Sequence, residues 1–518
     1  MNQTLSKSYQ NPNPNLPDPF VSMLKESIHR FIADYRNSVT DFSNFSSIFS
    51  RVLHGIPDPP VEIVWFYSAV TFHSTKLTAQ DDPSGRVSAI KDLFQLLVSC
   101  SASCSAAKRI AILAPVVYEL CNLAFDTKER FEEEIQSLLE GLISYFSICC
   151  GGNGDHRDGD DDGGLNSCFL DVIRVWVVDR IGVGDELEAF FPIVSDDVRK
   201  GLRMMRGGVG DLAGLVMCEA FLLKLCLKLG LQTSRAELEK EVRNWAVQTL
   251  TGFQCFFFFD TLFRMLLEPV LPVTNLLNSK DMCLLQVILY DSVIMVDYSF
   301  LKPQIGIQSA DERYKNLAVT WLLVADNAIR FVRKDDDQTK VISYVNAFVE
   351  SCLASHLIKW LTNHIGMEGK IFRPNVSTPV ALIKWMLLVE EQGVRVFDCD
   401  ISKLRAKGVI CESRVEFMLP VTKPDGKTQD TGDLEMVDSV NTVSVAADGT
   451  INTQATDGAR KRKGTVDGMG VQVKFVRYYF DEEYVKKGFP SLGSDDSLSS
   501  ESEVDNPVYD RAMEDMQP

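Results

Sequence analysis

Apolar residues recur at helical spacing along most of the chain, from about residue 18 to residue 393. Asp18 is positioned to cap the first helix, and Pro19 suits its first turn. Apolar residues three and four apart then follow on one helix face: Phe20, Met23, Leu24, Ile28, Phe31 and Ile32. The same spacing predicts further helices at about 41–54, 61–76, 86–99, 106–125, 128–148, 168–181, 211–230, 234–250, 253–267, 281–297, 311–332, 338–364 and 378–392.

Many of these predicted helices are long and apolar on more than one face. Such helices have to be covered on two sides, as happens when helix pairs stack on one another. At this architectural level residues 20–395 resemble the armadillo/HEAT-type helical-repeat proteins, although no strict repeat period aligns. The resemblance implies an all-α fold, an α-solenoid-like stack of helix pairs. A non-repeating bundle of helices is the alternative.

Polar stretches mark the limits of the helical region. Residues 1–17 are polar and proline-rich, without the apolar core of a signal peptide, and we predict that they are disordered. Residues 151–166 consist largely of Gly and Asp, which predicts a flexible linker. We expect this linker to separate an N-terminal helical layer, residues 18–150, from the main helical array, residues 167–395.

The pattern changes after about residue 395. Residues 396–422 are rich in β-branched side chains with partial alternation, which predicts an irregular or strand-like segment. Residues 471–490 are again apolar and aromatic, and we predict that they dock back on the helical body. The expected pairing is between Val415–Val421 and Val471–Tyr478.

Two C-terminal stretches lack the apolar content to pack, so we predict that both are disordered. Residues 423–470 form a polar loop, and residues 491–518 form an acidic, Ser-rich tail. Within the tail, Ser500 and Ser502 each have a carboxylate three residues further on, the arrangement that an acidophilic kinase reads. These two serines are therefore candidate phosphorylation sites.

The polar loop contains four consecutive basic residues: Arg460, Lys461, Arg462 and Lys463. Importin-type receptors read such a cluster in extended form, through their own carboxylates and aromatic side chains. An exposed cluster in a flexible loop meets that requirement. The cluster is a candidate nuclear-localisation signal, and a chance basic run is the alternative.

Composition narrows the class of partner. The chain has 518 residues, of which 45% are apolar, and a formal net charge of -18. The negative charge disfavours direct binding of nucleic acid or of an anionic membrane. The 13 cysteines lie mostly within apolar runs, which predicts reduced thiols in a cytosolic or nuclear protein.

The most apolar window, residues 249–277, does not predict a membrane span. Asp260, Arg264 and Glu268 interrupt it, and three charges near a bilayer centre are costly. A buried helix pair with one polar stripe explains the window better, so we expect no membrane association.

Sequence motifs assign no catalytic residue, metal ligand or cofactor. Asp158–Gly163 matches the start of a calcium-binding loop, but the position that requires a bidentate Glu is Phe169. Gly208–Ala213 fits a dinucleotide fingerprint, but a predicted helix precedes it where a strand is needed.

The sequence therefore predicts a non-enzymatic scaffold or adaptor that binds other proteins through a helical array. The basic cluster predicts that it works in the nucleus, or in the nucleus and cytoplasm, with an importin among its partners. An enzyme whose site is not visible in sequence and a membrane-associated helical protein are the alternatives.

Overall fold

Helices account for the regular secondary structure in the described part of the chain. The computed structural model describes residues 19–78, 83–126, 132–151, 164–180, 184–204, 208–230, 235–273, 276–301, 308–364 and 376–418. Within these ranges there is no strand, and the β contact present is one isolated bridge between Gly164 and Gly208. The predicted all-α class is confirmed.

The helices follow one another with mostly short connections. The first ten are α1 (Pro19–Arg36), α2 (Ser43–Gly55), α3 (Val61–Thr78), α4 (Pro83–Cys100), α5 (Ala106–Ile112), α6 (Ala114–Asp126), α7 (Glu132–Gly151), α8 (Phe169–Trp176), α9 (Glu186–Phe190) and α10 (Asp196–Arg203). The remainder are α11 (Val209–Gly230), α12 (Arg235–Gly252), α13 (Phe256–Leu266), α14 (Ser279–Met295), α15 (Gln308–Lys334), α16 (Gln338–Glu350), α17 (Cys352–His364), α18 (Pro379–Glu391) and α19 (Asp400–Met418). A short 3-10 turn, Val178–Arg180, follows α8.

Packed helix pairs make up the described structure. Neighbours in the chain pack together, as α2 does with α3, α15 with α16, and α18 with α19. Other contacts join helices far apart in sequence, since α11 packs against α5, α7 and α13. The domain limits around residues 151–166 stay a prediction, because residues 152–163 lie outside the described ranges.

Helix α11 is covered on every side. Its side chains are buried without interruption from Leu212 to Cys226, as a helix that is apolar all round requires. Glycines allow α13 to approach closely: a Cβ added at Gly210 would collide with the Phe257 ring, and one at Gly214 with the Phe257 backbone carbonyl. Gly210, which belongs to the dinucleotide-like run, thus serves helix packing.

The segment predicted as irregular or strand-like, residues 396–422, is helical over Asp400–Met418. Its β-branched content misled the prediction, because β propensity is a weak preference that tertiary packing overrides. Buried or half-buried side chains recur at helical spacing, at Ala406, Val409 and Ile410, where α19 packs on α15 and α18. The expected pairing partner, Val471–Tyr478, lies outside the described residues.

No single helix in the described ranges is long and apolar enough to cross a membrane. One helix pair, Gln338–Glu350 with Cys352–His364, has the length and apolar composition of a membrane span when its two helices are taken together, but it bends by 50° at the break between them.

A buried aspartate joins three helices. Asp291 on α14 is 3% exposed. Its Oδ2 lies 2.9 Å from Nη2 of Arg243 on α12 and 3.1 Å from Nζ of Lys340 on α16. The hydroxyl of Tyr344, also on α16, donates to its Oδ1. Both ion pairs and the hydrogen bond therefore converge on one carboxylate between α12, α14 and α16.

We predict that Asp291→Ala lowers the free energy of unfolding by about 3 kcal/mol, because it leaves the half-buried ammonium of Lys340 and the buried hydroxyl of Tyr344 without their acceptor. This loss is at the low end for buried ion pairs, since Lys340 is partly exposed and Arg243 keeps its ion pair with Glu239. Urea unfolding measures the change.

As a control, Asp34→Ala removes an exposed pair with Arg30 and should cost under about 1 kcal/mol. Equal, small losses in the two variants would contradict the role given to Asp291.

Candidate functional site

The residues singled out in the sequence lie outside the described structure. This holds for the basic cluster, Arg460, Lys461, Arg462 and Lys463, and for Ser500 and Ser502. Among the described residues no group of His, Cys, Asp and Glu side chains is placed to hold a metal ion. The site that the described structure offers is a polar cleft that sequence patterns did not indicate.

The cleft lies where α3, α4, α6 and α8 meet the 3-10 turn. Its volume is about 210 Å³, below the roughly 300–1,000 Å³ typical of sites for drug-sized ligands. Cationic, anionic and uncharged polar side chains line it: Lys76, Arg86, Tyr118, Glu119, Asn122, Asp126, Trp176, Asp179 and Arg180. This mixture suits a small polar molecule.

Two ion pairs neutralise most of the charge at the cleft. Lys76 Nζ lies 3.0 Å from Asp179 Oδ2, and Arg86 Nη2 lies 3.0 Å from Asp126 Oδ2. The hydroxyl of Tyr35 on α1 donates to Asp179 Oδ1 at 2.9 Å. The carboxylates of Asp126 and Asp179 are therefore already paired.

Glu119 is the unusual residue of the cleft. It is 7% exposed, and no side chain or backbone group among the described residues hydrogen-bonds to its carboxyl group. Burial raises the pKa of Glu119 to about 7, although the nearby cations Lys76, Arg86 and Arg180 act in the opposite direction. Near neutral pH both the protonated and the ionised form of Glu119 are therefore accessible.

Buried polar atoms without partners lie beside Glu119. Asn122 Oδ1 and Trp176 Nε1 have no hydrogen-bond partner in the described structure, although both residues are over nine-tenths buried. His73 packs against the Trp176 ring, and its Nε2 lies 3.0 Å from the carbonyl oxygen of Val175. Burial and the nearby Lys76 lower the pKa of His73 to about 4, so its imidazole is neutral.

Arg180 supplies the uncompensated charge. Its side chain is exposed, and it forms no ion pair or hydrogen bond with another described residue. When Glu119 is protonated, the cleft lining therefore carries a net charge of about +1. When Glu119 is ionised, the lining is neutral.

Another buried glutamate provides a contrast. Glu219 on α11 accepts a hydrogen bond at 2.9 Å from the backbone N–H of Ile193, and the thiol of Cys121 donates to the same oxygen. Burial raises the pKa of Glu219 to about 8. Since Glu219 sits inside the core and outside the cleft, its role is to join α11 to the loop after α9.

Comparison with known protein families, with curated proteins and with solved structures finds no match for this chain. The cleft therefore has to be interpreted from its own chemistry.

Sequence patterns missed the cleft because its residues come from five elements between Lys76 and Arg180. One signal was available: Glu119 is a carboxylate in a helix, α6, whose other side chains are buried almost throughout. Carboxylates are rarely fully buried unless paired, so a glutamate at this position indicates a buried partner or a site.

We predict that Glu119→Gln makes stability less dependent on pH. The raised pKa means that Glu119 favours folding below pH 4.5, its ordinary pKa, and that this contribution is lost as pH rises through about 7. As pH rises from 4.5 to about 7, the free energy of unfolding of the variant should therefore come to exceed that of the natural chain by up to about 3 kcal/mol. Urea unfolding at several pH values measures the gain.

Glu219→Gln is the matched control. The stability advantage of Glu219→Gln over the natural chain should keep growing up to about pH 8, because burial raises the pKa of Glu219 above that of Glu119. Parallel profiles for Glu119→Gln and the natural chain would contradict the assignment of a perturbed carboxyl group to the cleft.

Proposed function

We propose that this chain is a non-enzymatic scaffold or adaptor that binds other proteins on an armadillo/HEAT-like helical array. The observation that supports the proposal is the run of packed helix pairs, from α2 with α3 to α18 with α19. Stacked pairs leave long outer surfaces that fit partner proteins. The net charge of -18 disfavours nucleic acid as a direct partner.

The last described helix offers a surface for such a partner. Ile401 and Leu404 lie one turn apart on α19 and are 61% and 65% exposed. Leu388 on α18, the helix that packs on α19, is also exposed. Ile401 and Leu404 are in positions i and i+3 on one helix face, which is the spacing at which a helix presents apolar side chains to a partner.

We predict that affinity purification of the full chain without detergent recovers a protein partner in stoichiometric amount. The double variant Ile401→Glu, Leu404→Glu should lose it, because charges cannot enter an apolar interface. The matched control is Met204→Glu with Val270→Glu, two exposed apolar residues elsewhere on the surface. Recovery of no partner, or only of membrane proteins, would contradict the scaffold.

We also propose that the scaffold works in the nucleus, or in both nucleus and cytoplasm, and that an importin carries it. Changing Arg460, Lys461, Arg462 and Lys463 to alanine should then lower the nuclear fraction of a fluorescent fusion several-fold. The control changes a different basic pair, Lys486 and Lys487, to alanine. The alanine variant is also measured in cells depleted of the partner, so that import by the partner is excluded. An unchanged nuclear fraction in those cells would refute the basic cluster as a nuclear-localisation signal.

Phosphorylation of Ser500 and Ser502 is the regulation we propose for the acidic tail. Each phosphate adds about -1.5 to -2 charge, which increases the attraction between the tail and the basic cluster. The double variant Ser500→Asp, Ser502→Asp is measured in the same import assay. A lower nuclear fraction would indicate that the negative tail covers the basic cluster.

A further inference from the structure

We propose that the cleft lined by Glu119, Asn122, Trp176 and Arg180 binds a small organic carboxylate. This inference goes beyond the scaffold and does not depend on it. It rests on the cleft volume, on the exposed guanidinium of Arg180 and on the carboxyl group of Glu119, neither of which is paired with another described residue.

The charges favour a singly charged anion. Lys76 with Asp179, and Arg86 with Asp126, are closed ion pairs at 3.0 Å, so neither pair offers a free charge. Arg180 alone among the described lining residues is a cation without a paired carboxylate. Its planar guanidinium fits the two oxygens of a carboxylate, which it can bind with two parallel hydrogen bonds.

The base of the cleft supplies hydrogen-bond donors for the same group. A protonated Glu119 offers one O–H, whereas Trp176 Nε1, which has no partner among the described residues, is itself buried, so that Trp176 lines the cleft with other atoms of its ring. The phenol of Tyr118 also lines the cleft. A carboxylate of the ligand would accept from these donors, and the aromatic rings of Tyr118 and Trp176 would contact its carbon atoms.

Glu119 couples this binding to pH. Its neighbours are Lys76 on α3, Arg86 on α4, Tyr118 on its own helix, and Asp179 and Arg180 on the 3-10 turn; His73 on α3 is neutral and packs behind Trp176. A bound anion favours the protonated form of Glu119, because an ionised Glu119 would repel it. Above about pH 7, binding of the carboxylate ligand therefore requires Glu119 to take up a proton, and the affinity falls as pH rises.

A cation is the competing ligand, because an ionised Glu119 would attract an amine. The two alternatives predict opposite trends, since amine binding would strengthen as pH rises through the same range. Their charges allow them to be distinguished in one experiment.

The test is a ligand-observed NMR titration of the full chain with acetate, propionate and benzoate between pH 6 and 9. Acetamide is the uncharged control and ethylamine the cationic one. We expect the carboxylates to bind, acetamide and ethylamine not to bind, and the carboxylate Kd to rise by up to about tenfold per pH unit above pH 7. Tighter binding of ethylamine, or carboxylate binding that does not change with pH, would overturn the proposal.

Two variants assign the binding to the cleft. Arg180→Met should weaken it by about 10- to 100-fold, the usual loss for a charged hydrogen-bonded partner, and Arg180→Lys should restore part of it. Arg180 is exposed, so both variants leave the core intact. Glu119→Gln should still bind carboxylates, because its amide donates, but without the pH dependence. Equal affinity in Arg180→Met and the natural chain would place the ligand elsewhere and refute the site.

Discussion

The rest of the structure depends on the complete burial of α11. A helix with apolar side chains on every face has to be surrounded, because each uncovered face would leave apolar surface in water. Helices that precede α11 in the sequence and helices that follow it pack around it. These are α5, α6 and α7 before it, and α12, α13 and α14 after it. Close approach of α13 in turn requires Gly210 and Gly214, where a side chain would collide with Phe257.

Complete burial makes the charges that remain inside the structure informative. Asp291 is surrounded by two cations and a hydroxyl, and Glu219 accepts from a backbone N–H, so packing between helices explains both. Glu119 has neither kind of partner in the described structure and borders a cleft. A carboxyl group buried without a partner is costly, and its retention beside open space is more readily explained by a ligand than by packing.

The outer surface of the helix pairs and the cleft can serve different purposes in one molecule. The proposed scaffold would use extended surface such as that around Ile401 and Leu404, whereas the cleft, at about 210 Å³, is too small to hold a partner protein. A small carboxylate bound between α3, α4, α6 and the 3-10 turn would add to the two ion pairs and the Tyr35 hydrogen bond that already join elements there. Occupation of the cleft would therefore stabilise the N-terminal helices.

Local pattern was sufficient to predict most of the helices, because the spacing of apolar residues depends on positions three and four apart. It identified the helix at Phe20–Ile32 and the buried character of the 249–277 window, where α13 is enclosed. It was wrong where local preference was weak: Asp400–Met418 is helical because Ala406 and Val409 pack on other helices, a contact that β-branched composition does not reveal. Predicted helix 106–125 is also two helices, since α5 ends before Leu113 and α6 begins at Ala114, with Pro115, which has no N–H to continue the first helix, in its first turn.

The cleft was decided by tertiary structure alone. Lys76 and Asp179 are 103 residues apart, and Arg86 and Asp126 are 40 apart, so no spacing rule could pair them. The sequence by itself determined an all-α chain whose helices need cover on several sides, because periodicity is a property of each segment. Only the packing of distant segments determined which charges are paired, which carboxyl group is left without a partner, and where a ligand can enter, because burial and pairing are properties of the whole assembly.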